Sequence, residues 1–502
     1  MQILFKNRLE EAIYERNKII HLYDLAWKHF TVAGMTTTDL DSLGLLYKTK
    51  LKNKLSALIM NSNYKWAYIE TPRYEQISQS DKLEFEQITD TVFDEIQEGS
   101  NFELEKSNIL DDYLIGTTAF KIKYTGDIYN PIEIEAAPIR SVYLTKLRKG
   151  KTGDVFYHLT DVTKHKLLET YGSKIEGNPH YEALVDTEKI ELWEGIVYNH
   201  KKNNYFYAIA KDNSFEQVLY EMETDYNPWI VARFESLTDS PYGVGPCVKA
   251  ILEIQALKNT KKNIADIGKH QAKPSYIFTG DPAYILKSRL NTPNSISYMG
   301  EASGINKVET FNRGENANIE FFNLNDFKDT LREIFYINLI ESLTNIDQLK
   351  NITATTTQAV ITEFSRQIEP TYSLMQKELL KNIVEKVYQC CLKASKIDIS
   401  RIEVLKNNPR LKIRFYNAIT IAQDQDDAER ANLYFADIAS KLGPVAAAAN
   451  MNQVEYINAT KKRFRVSEKE WKGGEETEKE VEQIQNAQAQ MMAEQGGGIP
   501  EQ

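Results

Sequence analysis

The residues with the first claim to chemistry are Arg148-Lys149-Gly150-Lys151-Thr152, whose Gly-Lys-Thr core has the side chains of a phosphate-cradling loop. That loop needs another glycine five residues before the one that precedes the lysine, and Thr145 stands there. The apolar stretches Val142 to Leu144 and Val155 to Tyr157 on either side predict a basic hairpin turn instead. Gly243-Val244-Gly245 opens like a dinucleotide fingerprint, but Pro246 follows and position 248 holds valine where the third glycine belongs. A turn leading into a helix is the expectation, with Pro246 in the first helical turn.

Metal and nucleophile chemistry find little support. His21, His29, His158, His165, His180, His200 and His270 include no pair at metal-binding helical spacing and no His-Glu-x-x-His. No metal or other cofactor is expected. Asp424, Asp426, Asp427 and Glu429 could hold Mg²⁺ in a nuclease, yet they stand at the entry to a predicted helix, where the macrodipole favours carboxylates. No Gly-x-Ser-x-Gly elbow is present. Cys247, Cys390 and Cys391 lack the number and spacing of a disulfide framework or zinc motif, which points to a reducing compartment. No catalytic residues are predicted.

One charge pattern stands out. At about 100° per residue, Lys258, Lys262, Lys269 and Lys273 fall within about 60° of arc on the helix that starts near Cys247, with Leu257, Ile264 and Ile267 on the far side. A solvated face explains such a stripe, and so does contact with nucleic acid.

The elements that position these residues read as helices first and strands second. Leu4 to Phe30, Asp39 to Met60 and Ser80 to Leu110 carry helical apolar periodicity, with Ser80 and Asp81 as caps. From Gly116 onward Phe120 to Tyr124, Ile132 to Glu135, Val142 to Leu144, Lys189 to Val197, Tyr205 to Ala210 and Trp229 to Phe234 alternate as strands. This order gives an α+β class. A helix from Cys247 to Gln271 should stop before Lys273-Pro274. Strands and turns are expected over Ser275 to Phe322 and a second helix over Asp326 to Leu343. A third helix, Thr353 to Lys393, should begin at the capping-box pair Thr355 and Gln358 and kink at Pro370. Leu411 to Phe415 reads as a last strand, Ala422 to Leu442 and Gln453 to Phe464 as helices, and the acidic, Gln-rich tail from Lys472 as disordered.

Composition narrows the field. The chain has 502 residues and a net charge of −10, which excludes a simple basic nucleic-acid coat protein. The length predicts roughly two to four domains. Its 23 glycines and 14 prolines are few for this length, favouring long helices. No apolar run reaches the ~18 residues of a membrane span and Met1 to Arg16 has no signal-peptide core, so a soluble protein made inside the cell is expected.

Arg233-Phe234, then Tyr242-Gly243-Val244-Gly245-Pro246 running into Ala250, Leu252 and Leu257, resemble the portal, or head-to-tail connector, proteins of short-tailed bacteriophages. So do Asn351-Ile352-Thr353-Ala354-Thr355 with Val360, Glu363, Tyr372 and Leu379. Val244 and Thr356 depart from the family pattern, which has a basic and an acidic residue there. The resemblance implies an elongated portal fold: a wing over 1–245, stem helices over 246–273 and 326–343, and a small α/β clip over 274–325 between them. A tunnel loop over 344–352 would present Asn345, Asp347, Gln348 and Lys350; a kinked long helix over 353–420, a crown over 421–471 and the tail over 472–502 would follow. It further implies a non-enzymatic ring of twelve subunits in the virion, at one capsid vertex, assembled in the host cytoplasm. Double-stranded DNA would pass through the ring during packaging and ejection, with terminase, capsid and scaffold proteins and tail adaptors as partners and no membrane. Lys258, Lys262, Lys269 and Lys273 would then face DNA or the acids Asp326, Asp329 and Glu333 of a neighbour. A metal-dependent nucleic-acid enzyme and a ring-shaped tail adaptor are the alternatives.

Overall fold

The computed structural model describes residues 2–34, 42–62, 64–72, 77–127, 129–146, 153–273, 275–279, 296–299, 307–311, 317–341, 354–398 and 411–417, and of 420–456 only 420, 430, 432–441, 443 and 456. The N-terminal region is built from α1 (Gln2–Asn17), α2 (Ile20–Phe30) and α3 (Leu43–Ile59), then β1 (Ala67–Glu70), α4 (Gln79–Gln97) and α5 (Phe102–Ile115). The single helix expected over Leu4 to Phe30 is broken at Lys18-Ile19 because its two halves serve different cores. Phe5, Leu9 and Ala12 of α1 pack with Phe156, Trp193 and Val197, whereas Tyr23, Ala26 and Phe30 of α2 enter the main core. The stretch Ser80 to Leu110 likewise divides at 98–101, where Asn101 turns its amide onto the backbone of Ile134 through paired 2.7 and 2.8 Å hydrogen bonds. The cap of α4 is Ser78, not Ser80 or Asp81: its hydroxyl accepts from the Asp81 N–H at 3.1 Å and donates to the Asp81 carboxylate at 2.9 Å.

The predicted strands form β2 (Thr117–Tyr124), β3 (Ile132–Ala137), β4 (Val142–Leu144) and β5 (Val155–Val162). Helices α6 (Lys164–Tyr171) and α7 (Pro179–Glu182) follow, then β6 (Ile190–Asn199), β7 (Asn204–Ala210), β8 (Val218–Thr224) and β9 (Trp229–Arg233). Two antiparallel sheets result, β3-β2-β9 and β4-β5-β6-β7-β8, giving the α+β class. Leu144 pairs with Val155 and the Thr145 N–H donates to the Asp154 carbonyl, so β4 and β5 are antiparallel neighbours as expected, while the Gly-Lys-Thr segment between them lies outside the described residues. Alternation puts Trp193 and Val197 against α1 on one face of the larger sheet, and Leu192 and Ile209 with Leu167 of α6 on the other. Lys121 of β2 ties the sheets together. Its buried ammonium sits 2.8 Å from Glu194 of β6 and 3.0 Å from Glu135 of β3, over the rings of Trp229 and Tyr157. Burial alone would lower the pKa of this lysine, but the two carboxylates outweigh it and raise it.

After β9 come α8 (Pro246–Lys249) and α9 (Ile251–Ala272), a small sheet of β10 (Ser275–Thr279), β11 (Ile296–Met299) and β12 (Lys307–Phe311), and α10 (Ala317–Ile334). The second long helix therefore begins nine residues before Asp326, and ends before a sharp turn at Tyr336, whose φ is +55°. The third helix divides into α11 (Ala354–Met375), a π-helical turn over Gln376–Leu380 and α12 (Lys381–Lys393), followed by β13 (Lys412–Phe415), which pairs with β1. Thr355 lies inside α11 rather than at its cap, and α11 runs through Pro370. The irregularity falls at the π turn for a reason visible in the packing. Phe364, Ile368, Tyr372, Met375, Leu379, Ile383, Val387 and Cys391 are all buried. At this spacing an ideal α-helix would carry Cys391 about half a turn away from Phe364, and the extra residue of a π turn takes back roughly 100° of that drift. Asn345, Asp347, Gln348, Lys350, the acidic cluster Asp424 to Glu429 and the tail from 472 lie outside the described residues; of the predicted C-terminal helices, 432–441 is helical.

The chain crosses itself at close quarters where Gly243 meets Gly116. A Cβ on Gly243 would stand 2.5 Å from the Glu235 carbonyl oxygen and 2.7 Å from that of Gly116, both backbone atoms that cannot swing aside. Gly243→Ala should lower the unfolding free energy by about 2–4 kcal/mol in urea titration. Gly268, inside α9 with open space around it, gives the contrast: Gly268→Ala should raise stability by about 0.5–1 kcal/mol.

Candidate functional site

The turn Tyr242-Gly243-Val244-Gly245-Pro246 is a structural joint rather than a nucleotide loop. Gly245 precedes α8 in extended conformation and Pro246 is its first residue, as the sequence predicts. The Gly245 N–H donates to the Ile115 carbonyl at 2.9 Å, and the Val244 N–H to that of Glu235 at 3.0 Å. Thr117 accepts the Gly243 N–H on its hydroxyl at 2.8 Å. The buried Tyr23 hydroxyl lies 2.9 Å from Thr117 Oγ1 and donates to the Gly243 carbonyl at 2.6 Å. Tyr242 reaches the other way, accepting from the Leu144 N–H and donating to the Val142 carbonyl. One five-residue turn thus ties α2, α5, β2 and β4 to the root of α9.

Arg233 adds a second clamp beside the joint. Its guanidinium meets Glu378 in the π turn at 2.5 and 3.2 Å, its backbone N–H donates to the same carboxylate at 3.0 Å, and a further N–H reaches the Ser240 carbonyl. The Glu378 carbonyl takes a 2.7 Å bond from the Asn382 amide, where the π turn disturbs the helical ladder. The two segments that carry the family resemblance therefore touch: Arg233 belongs to the first, and Glu378 adjoins Leu379 of the second. Tyr372, also in the second, is buried and meets the Asn417 amide at 2.5 Å, joining α11 to the chain beyond β13.

From this joint α9 and α10 run antiparallel, with Asn263 opposite Glu320 at 3.5 Å. The lysines of α9 differ in exposure and in contacts. Lys258 is half-buried and its ammonium lies 3.3 Å from His29 Nδ1, so it contacts α2. Lys262, Lys269 and Lys273 are exposed, and Lys269 pairs with Asp266 at 2.8 Å. Leu257 is buried as expected, whereas Ile264 and Ile267 are half-buried. On α10 the acids Asp326, Asp329 and Glu333 are exposed. Sequence reasoning had no means to find His29 as the partner of Lys258, since the two are far apart along the chain.

A cavity of about 560 Å³ opens between α2, α3, α5 and β3, lined by Trp27, Phe30, Lys48, Lys52, Asp111 and Asp112 among others. Its charges are engaged with each other and with the backbone. Lys48 and Lys52 both pair with Asp111, at 3.0 and 2.8 Å, while Asp112 accepts the Ile139 N–H at 2.8 Å. Among the described residues no group of three His, Cys, Asp or Glu is placed to hold a metal ion, and no helix is long and apolar enough to cross a membrane.

What these features define is an α+β body that braces a two-helix arm, with its conspicuous surface on the arm and its most constrained residues at the arm's root. The family model of the bacteriophage head to tail connecting protein matches residues 32–463, which takes in the joint apart from Tyr23 of α2, the arm, α11 and β13. The chain belongs to that family. No curated protein matches it.

Two outcomes follow from this geometry. Arg233→Lys keeps the charge but loses the fork, and should cost about 1–2 kcal/mol in chemical unfolding; Arg233→Ala, which strands Glu378, should cost about 2–4 kcal/mol. Asp112 is pushed up to about 6 by burial, against the Ile139 hydrogen bond and Lys48, which favour ionisation. The folded chain therefore holds a proton that the unfolded chain releases near pH 4. This contribution to stability is complete below pH 4 and is lost as pH rises through about 6. Asp112→Asn should flatten that part of the pH profile and raise stability at pH 7.5 by up to roughly 3 kcal/mol, read from thermal midpoints.

Proposed function

We propose that the chain is the portal subunit of a bacteriophage. Copies form a ring at one capsid vertex through which double-stranded DNA is packaged and ejected, and on which terminase, capsid and scaffold proteins and tail adaptors dock. The observation that carries this reading is the joint: the segments shared with the family fix an antiparallel helical arm to an α+β body, and they do so with packing and hydrogen bonds rather than with a reactive constellation. In this reading 1–245 is the wing, α9 and α10 are the paired stem helices, and the β10–β12 segment between them belongs to the clip. The tunnel loop over 344–352, the long helix over 353–420 and the crown over 421–471 follow. The ring itself hydrolyses nothing, and terminase supplies the motor.

Charge supports a conduit. Each lysine–phosphate contact adds counterion-release affinity, so a uniformly basic lumen would hold DNA rather than pass it. With −10 per copy, a twelve-copy ring carries about −120, which keeps non-specific binding weak. Lys262, Lys269 and Lys273 are exposed and available either to DNA in the lumen or to a neighbouring copy.

Negative-stain imaging of the purified full chain should show rings with a central hole, and incubation with Mg²⁺ and duplex DNA should leave the DNA intact. Uniform compact monomers at high concentration would sink the ring. Mg²⁺-dependent cleavage by the purified chain would favour a nucleic-acid enzyme.

A further inference from the structure

The α9–α10 arm is electrically two-sided. On α9 buried Thr260 and half-buried Ile264 and Ile267 share a face beside Asn263, which meets Glu320 of α10, and at about 100° per residue Lys262, Lys269 and Lys273 sit roughly half a turn away from them. On α10 the residues turned toward α9 are Glu320, Leu324, Phe327 and Leu331, and Asp326, Asp329 and Glu333 lie together on the far side. The two exposed charged faces therefore point away from each other across the thickness of the arm, one basic apart from Asp266, which pairs with Lys269, and one acidic. A surface of this kind cannot match itself through a two-fold axis, because basic would meet basic. It matches a translated or rotated copy of itself, which is a heterologous, head-to-tail contact, and such contacts make a ring where the rotation between copies closes and a filament where it does not.

We infer that the Lys262–Lys269 face of one copy docks on the Asp326–Asp329–Glu333 face of the next, so that these lysines meet a neighbouring subunit and not DNA. The inference rests on the ring reading above and assigns one of its contacts. The register of the arm adds a constraint. With Asn263 opposite Glu320, the acidic stripe is level with the first two turns of α9, and the lysines lie roughly 10–20 Å further along the arm, from 1.5 Å of rise per residue. The two faces meet only if neighbouring arms are inclined to the ring axis. Opposite charge across the contact also rejects the inverted pairing and speeds encounter, which is the role surface charge performs best.

A charge swap on the full chain tests this by sedimentation and negative stain at low salt. Lys262→Glu with Lys269→Glu should lower the ring fraction at least tenfold, Asp326→Lys with Asp329→Lys should do the same, and the four changes together should restore it to within about threefold. All four positions are exposed, so the far-ultraviolet circular dichroism of each variant should match that of the wild type and exclude misfolding as the cause. Rings formed equally well by the wild type and the Lys262→Glu, Lys269→Glu chain would overturn the docking inference and leave the ring reading standing. Failure of the four changes together to restore assembly would overturn the docking inference in the same way. A wild type that never forms rings would overturn both.

Discussion

The fold turns on a place where backbone meets backbone with no room for a side chain. Gly243 lies on Gly116 and Gly245 on the last turn of α5, so the strand leaving β9 and the chain entering α8 are held within hydrogen-bonding distance of the α5–β2 corner. A single buried hydroxyl, that of Tyr23, bonds to both sides of the crossing. Close approach of this kind excludes water and leaves each polar group only its protein partner, so the geometry is nearly all-or-none. The direction of α9 follows from it, since α9 begins one residue after the four-residue helix that Gly245 precedes. A loosely rooted arm could sample many directions, and a ring needs every copy to present the same one.

Buried charge does the same work deeper in the body. Lys121 is enclosed by two carboxylates and two aromatic rings at the seam between the sheets, and Arg233 is committed to the π turn. Neither is the most effective way to stabilise a core, because desolvation consumes most of the Coulombic gain. What they add is direction. The fork of Arg233 accepts Glu378 in one geometry, and that geometry exists only while the helix from α11 to α12 holds its extra residue at Gln376–Leu380. Arm, joint and long helix are thereby referred to one another through contacts that a sliding or rotated packing would break.

The parts of this architecture that were legible in the sequence are those written in local patterns. Alternation gave β2 to β7 and β9 within a few residues, and proline with paired glycines gave the start of the arm. The failures share a different cause. Nothing local in Leu4 to Phe30 reveals that its halves belong to separate cores. The π turn arises from the buried face that α11 and α12 must share, which Pro370, the one local signal of irregularity, does not reveal. Strand β8 and strand β1, whose partner β13 lies more than three hundred residues on, carry too little alternation to declare themselves. At the site the lysine spacing was readable, but the role of Lys258 depended on His29, a contact made by the tertiary fold.

That contact separates two kinds of lysine on one helix. Near the root α9 is pressed against α2, and a charge there is drawn into the body, as Lys258 is. One turn further out the body has ended and Lys262 stands exposed. Beyond that point, among the described residues, α9 packs on α10, so the exposed backs of the arm need charge for solubility, and an excess of opposite sign on the two backs gives the arm a preferred partner at the same time. An apolar back would bind more tightly but also in more ways, and single copies would associate before the rest of the ring arrived. In the proposed ring, weak and polarised contacts repeated at every interface give closure with few wrong partners, and leave the net negative charge of the assembly to keep DNA moving.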